Sequence, residues 1–309
     1  MSPTRMIRTA AVAVGALGGL TSAAYGLLSE QSKHARQVIG VPKEPPFNAD
    51  GVYLPGAAAP TIVEDPADLL RFAVIGDSSA AGLGVDNPLQ LPGVLLARGL
   101  AEESGRPVRL LTWAVSGATT RDLPGQVDGA LTDPPDVVLV IVGANDVTDR
   151  LLVRTSADLL AEQISRLRAA KVAVVVGTCP DLGAIQPIPQ PLRTLARTWS
   201  LLLARAQRVA VQRAGGVPVA LADLLSPEFF ARPAELFSKD RFHPNAAGYE
   251  AAAAVLLAPL CAAAGIWDGV ADERVPAVTV RPTGQPGPLR RTLPTLPGNG
   301  SVGLATPSW

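Results

Sequence analysis

Histidine is almost missing from this chain: His34 and His243 are the only two in 309 residues. An imidazole-rich metal centre therefore has no cluster of ligands to draw on, and acid–base chemistry by imidazole has very few places to occur. Cysteine is as scarce. Cys179 and Cys261 stand far apart with no CxxC spacing, which excludes a zinc ribbon or a thioredoxin-type redox pair. Two buried thiols are the expected state, with one disulfide as the alternative in an oxidising compartment. Neither sign of charge is in excess, since Lys plus Arg and Asp plus Glu both total 27, and no basic stripe is present, so nucleic acid is not an expected partner. Three common site motifs are also absent. No serine lies in a GxSxG elbow, no GxxxxGK[ST] phosphate loop occurs, and Gly82-Leu83-Gly84 comes too late after its strand to begin a dinucleotide-binding turn. The chemistry expected is one that needs no cofactor.

What is present divides into a body and two ends. Ala10 to Leu28 is a weakly polar to apolar run, preceded by Arg5 and Arg8 and followed by Glu30 and Lys33. Residues 1–30 are expected to be either a signal peptide, with Ser22-Ala23-Ala24 as its small-x-small cleavage pattern, or an uncleaved membrane anchor. The anchor stays open because the run approaches the roughly 20 residues that a spanning helix needs. Either role exports the protein, secreted or held on the outer face of the membrane or envelope. Residues 31–59 are expected to be a linker, 60–267 the folded domain, and 268–309, crowded with Pro, Gly, Thr and Ser and lacking any period, a disordered tail.

Inside the body, short runs of Val, Ile and Leu alternate with longer amphipathic stretches. Arg71–Ile75, Val108–Ala114, Val137–Val142, Val172–Gly177 and Val217–Leu221 lack strict polar alternation, as strands buried on both faces do. Pro92–Glu103, Ser156–Ala170, Leu192–Ala214 and Asn245–Ala263 are predicted helices; in the second, Leu159, Leu160, Ile164 and Leu167 share one face. The predicted fold class is α/β, three layers α/β/α around a central parallel sheet of about five strands. Ligands of such sheets bind beyond the carboxyl ends of the strands, so the polar residues that matter should follow each strand.

They do. Gly76-Asp77-Ser78-Ser79 follows the first strand, Val115-Ser116-Gly117-Ala118-Thr119-Thr120 the second, and Gly143-Ala144-Asn145-Asp146 the third, while Lys239 to Asn245 precedes the last helix. His34 lies outside the body, which leaves His243 as the one candidate for imidazole acid–base chemistry. Asp240, three residues ahead, either turns its carboxylate to the ring nitrogen facing away from substrate or caps the last helix, a role for which Asn245 competes. Ser78 is either a nucleophile lifted to the sheet's edge by a tight turn that Gly76 permits, or a helix cap, and Ser79 is the better candidate for the cap. Asn145 offers an amide N–H₂ to a developing oxyanion, or is simply a turn residue. Asp146 is expected to orient its loop or cap the next segment.

The four blocks Gly76-Asp77-Ser78, Gly117, Gly143-Ala144-Asn145-Asp146 and Asp240-Arg241-Phe242-His243-Pro244, in this order across most of the body, resemble those of the SGNH hydrolases, the GDSL esterase/lipase superfamily. The resemblance implies a flavodoxin-like fold and a carboxylic ester hydrolase with Ser78 as nucleophile, His243 as base and Asp240 as its partner. It also implies an oxyanion hole built from the Ser78 and Gly117 N–H groups and the Asn145 side chain. One position departs from the pattern: Ser79 stands where the family has leucine, a change that bears on the acyl pocket.

The substrate expected is a small-molecule or lipid ester. Ala80, Ala81 and Gly82 beside Ser78 suggest a shallow, open site for short-to-medium acyl chains. Two other readings share these residues: an acyltransferase, in which an alcohol or sugar hydroxyl replaces water, and a non-catalytic module that binds envelope lipid or glycan.

Overall fold

The computed structural model describes residues 25–40, 45–61 and 68–267. Most of the expected signal or anchor segment, residues 1–24, and the expected tail, 268–309, lie outside the described residues.

A six-stranded sheet organises the body. Its strands are β1 (Gly51–Tyr53), β2 (Leu70–Gly76), β3 (Val108–Thr112), β4 (Val137–Ile141), β5 (Ala173–Gly177) and β6 (Val217–Val219), in the spatial order β1-β3-β2-β4-β5-β6. The five expected strands are all parallel, while β1 adds an antiparallel edge to β3, with Val52 opposite Arg109. The parallel five have the order of a flavodoxin-like doubly wound sheet, in which the connection reverses direction between β2 and β4.

Helices cover both faces because alternate residues of each strand point to opposite sides and both sides are apolar. Phe72 and Val74 of β2 and Leu139 and Ile141 of β4 pack against Val94 and Leu100 of α2 (Pro92–Ser104) and Leu256 and Leu260 of α9 (Ala246–Ala263). Ala73 and Ile75 of β2, with Val138 and Val140 of β4, pack on the opposite side. There they meet Leu123 and Val127 of α3 (Leu123–Ala130), Leu160, Ile164 and Leu167 of α5 (Val153–Ala169), and Val211 of α6 (Leu192–Arg213).

Several expectations change in detail. The last strand ends at Val219, and Leu221 instead opens a helix, α7 (Leu221–Ala231), which tolerates Pro227 inside it; the short α8 (Pro233–Leu236) follows. A short helix α4 (Ala144–Thr148) occupies what read as a loop. The stretch 31–59 is more than a linker: residues 25–39 form a helix, α1, and β1 joins the sheet. The Gln31 side chain of α1 donates to Gln190 O at 2.6 Å and accepts from Leu192 N at 3.1 Å, and Ala35 is buried. Cys179 and Cys261 are both buried free thiols, as expected.

Candidate active site

The turn after β2 is set by the residues around Gly76. Its φ is +142°, and a Cβ there would lie 1.9 Å from Ile141 O, so only glycine lets β2 end this close to β4. The Gln126 side chain brackets the same residue, accepting from Gly76 N at 2.7 Å and donating to Gly76 O at 2.9 Å. Beyond it, residues 77–84 run as consecutive turns rather than a helix, so Ser78 and Ser79 cap nothing; the Ser79 N–H is taken by Asp77 Oδ1 at 2.9 Å.

His243 arrives from the loop between α8 and α9. That loop closes on itself through Ser238 N to His243 O at 2.8 Å, and Asn245 caps α9 by accepting from Gly248 N at 3.1 Å. The helix cap thus belongs to Asn245, which frees Asp240 for the imidazole. Asp240 Oδ2 lies 2.6 Å from His243 Nδ1, while its Oδ1 accepts from Ser238 Oγ at 2.8 Å, Phe242 N at 2.8 Å and His243 N at 2.9 Å. Burial pushes the Asp240 carboxyl upward, but hydrogen bonds from the His243 ring and from the Phe242 and His243 N–H groups outweigh it and hold the group at about 2.

The two loops meet at the carboxyl end of β2. His243 Nε2 stands 2.9 Å from Ser78 Oγ across a separation of 165 residues, with both side chains buried. Close packing behind them fixes that approach. Gly84 has φ +108° and presses so near that a Cβ would lie 2.5 Å from Pro244 O and 3.0 Å from His243 Cβ. The Tyr249 hydroxyl of α9 donates to Leu83 O at 2.7 Å, tying the same two segments.

The remaining candidates come from the β3 and β4 ends. Val115 N donates to Gly76 O at 3.0 Å, anchoring the Gly117 loop beside the Ser78 turn. Asn145, half-buried in the first turn of α4, donates one Nδ2 hydrogen to Ala118 O at 2.9 Å, which orients the amide and leaves its second hydrogen free to donate elsewhere. Asp146 does orient its loop: its carboxylate accepts from Thr120 N at 3.0 Å and Thr120 Oγ1 at 2.6 Å, locking the β3 loop to α4. Burial raises the Asp146 carboxyl despite these bonds.

The structure thus brings Ser78, His243 and Asp240 into one hydrogen-bonded line. Gly117 sits on the β3 loop, which is tied to Asn145 of α4 through Ala118 O and to Gly76 through Val115 N. Ala80 and Ala81 play no part in an open site. Both are buried, while Ser79 borders an apolar cavity of about 100 Å³. Two supporting residues were not foreseen. Besides Gln126, the Gln207 side chain clamps the ends of β4 and β5, donating to Val142 O at 3.0 Å and accepting from Cys179 N at 2.7 Å. A signal existed for each, a glutamine inside the apolar stripe of a helix, next to Leu123 and Val127 in α3 and between Leu203 and Val211 in α6.

The fold is a three-layer α/β/α sandwich in which Ser78 from the turn after β2 meets Asp240 and His243 from the single loop before α9. Residues 74–251 match the GDSL-like lipase/acylhydrolase family, and the chain belongs to that family. It is 45% identical to a GDSL-like esterase of Mycobacterium tuberculosis over 265 residues, which is 82% of this chain and 84% of that protein. Among solved structures it resembles TesA, with 18% identity and a TM-score of 0.50 over 62% of this chain and 99% of that one, a likeness of fold. Axe2, an acetylxylan esterase from Geobacillus stearothermophilus, aligns at 18% identity and a TM-score of 0.49, over 62% and 94% of the two chains. Membership assigns the class of activity: the protein is a carboxylic ester hydrolase of the GDSL/SGNH type.

Proposed function

We propose that the protein is an exported serine esterase that hydrolyses carboxylic esters of short-to-medium acyl chain through a covalent acyl-enzyme, with Ser78 as nucleophile. The observation that carries this reading is the unbroken line from Ser78 Oγ to His243 Nε2 at 2.9 Å and from His243 Nδ1 to Asp240 Oδ2 at 2.6 Å.

A serine hydroxyl attacks a carbonyl only as a base removes its proton. His243 Nε2 takes the Ser78 proton as the Oγ–C bond forms, and Asp240, kept ionised by its four donors, stabilises the resulting imidazolium and holds the ring's tautomer. The carbonyl oxygen becomes an oxyanion facing the N–H groups of Ser78 and Gly117 and the second Nδ2 hydrogen of Asn145. Collapse breaks the ester C–O bond, and the leaving alcohol takes the proton from His243. Water then attacks the acyl-serine with His243 again as base, releasing the carboxylic acid and restoring Ser78.

Export rests on the run from Ala10 to Leu28 with its leading arginines, and places the esterase outside the cytoplasm, either released or tethered to the outer face of the membrane. The reaction is tested with a serine-directed phosphonate and a short-chain aryl ester. One adduct on Ser78 and a loss of turnover of roughly 10⁶-fold in Ser78→Ala are expected. Turnover that survives in Ser78→Ala, or an adduct on another serine, removes Ser78 from the chemistry.

A further inference from the structure

We propose that the apolar cavity behind Ser79 is the acyl pocket of this enzyme, and that Phe242 is the wall that sets the length of acyl chain it accepts. The proposal rests on Ser78 being the nucleophile and adds the residues that choose the substrate.

The cavity, about 100 Å³, borders the site from three loops at once. Its lining includes Ser79, Ala144, Phe242 and Pro244, which are the immediate chain neighbours of Ser78, Asn145 and, on both sides, His243. An acyl group on Ser78 Oγ whose oxygen faces Asn145 has its tail directed to the space these neighbours enclose. Deeper walls are apolar, formed by Ile141, Leu221, Phe229 and Leu256. Asp181, the one carboxylate on the wall, is occupied elsewhere, by Arg197 Nε at 3.2 Å and Gly183 N at 2.8 Å. An engineered cavity of roughly 150 Å³ holds benzene, so about four carbons fit in this one, the size of a butanoyl to pentanoyl chain.

A second apolar space begins where the first ends. A groove of about 660 Å³ runs beneath α1, bordered by Ile39, Val147, Trp199 and Leu202, and it shares Leu182 and Phe242 with the smaller cavity. Phe242 therefore stands between the two. Its ring is held edge-on to the His243 imidazole, 4.7 Å between centroids at 81°, so it is fixed by the same loop that presents the base. Ser79 controls the other end: a leucine there, the residue of the family pattern, would project its branched side chain into the cavity.

The test is the ratio of kcat/KM across p-nitrophenyl esters from acetyl to dodecanoyl, for the wild type, Ser79→Leu and Phe242→Ala, with Ser78→Ala as the blank. Each methylene seated against apolar walls raises kcat/KM by about fourfold. The wild type is expected to gain by that factor per methylene to about butanoyl and then level off. Ser79→Leu should level off at acetyl or propanoyl, losing roughly 4- to 16-fold of the wild type's gain from acetyl to butanoyl. Phe242→Ala should continue rising to octanoyl and beyond, whatever uniform loss it suffers from the altered packing of His243. Thermal melting reports whether each variant folds, and Phe242→Leu, which opens the wall in part, serves if the alanine variant does not. Chain-length profiles that match the wild type in Ser79→Leu and in the folded Phe242 variant, with Ser78-dependent turnover intact, overturn the pocket and leave the esterase standing. Absence of Ser78-dependent turnover on every ester overturns both.

Discussion

Asp77→Asn removes a carboxyl that is 1% exposed and next in sequence to Ser78. Burial raises this group from an ordinary 3.8 to about 6, against the opposing effects of the Ser79 N–H and of the His243 charge. An acid whose folded value lies above its unfolded one holds its proton more tightly in the folded state. Its contribution to stability is therefore complete below about pH 4 and is lost as the pH rises through about 6. A gap of about 2 pKa units at 1.36 kcal/mol each corresponds to about 3 kcal/mol. That is a large part of the 5–15 kcal/mol that typically separates folded from unfolded states. Asparagine has the same shape, keeps an Oδ1 to accept the Ser79 N–H, and cannot ionise. The expected outcome is that the stability of Asp77→Asn relative to the wild type rises by about 3 kcal/mol between pH 4 and pH 7.5. Urea unfolding of both proteins at intervals across that range measures it, and taking the difference cancels titrations common to both. A difference that stays constant with pH would refute the claim that Asp77 is desolvated by the fold.

Asn145→Ala is expected to lower kcat on the order of 10²- to 10³-fold with little change in KM, because its amide would act on the oxyanion and not on the ground-state ester; an unchanged kcat in steady-state assays removes it from the site. Asp240→Asn should cost on the order of 10⁴-fold in kcat by disturbing the imidazole tautomer. The same carboxyl, held at about 2, contributes stability that is present above about pH 4 and lost as pH falls through about 2. Partial exposure limits this to on the order of 1 kcal/mol, readable as a smaller acid destabilisation in the asparagine variant. Gly84→Ala places a methyl 2.5 Å from Pro244 O on a left-handed backbone, and a loss of at least about 1–3 kcal/mol in thermal or urea unfolding is expected. An alanine variant as stable as the wild type would show that the Ser78 and His243 loops are not in rigid contact there.

The sequence by itself determined the layered α/β architecture, because uninterrupted Val, Ile and Leu runs such as Val137–Ile141 bury both faces of a strand and require helices on each side. It also located the candidate site, since polar residues cluster at the strand ends and His243 is the one histidine within the body. Elements without a strong local pattern escaped it: β1 is three residues long and held by its pairing with β3, while α3 and α7 form despite internal glycine or proline because α3 packs on β2 and α7 packs against α9.

Tertiary structure alone decided the rest. The choice between Asp240 and Asn245 as cap, open in the sequence, was settled by two residues taking two partners, the imidazole and the Gly248 N–H. Gln126 and Gln207 found carbonyls of strands far away in the chain, and the raised Asp77 carboxyl is a property of burial, which no local pattern reports. Ala80 and Ala81 turned inward while Ser79 faced the cavity, because the turns after Gly76 have neither the period of a helix nor that of a strand. Residue types and order along the chain carry the first kind of information. The second depends on distances between segments as far apart as 165 residues, which exist only once the core has packed.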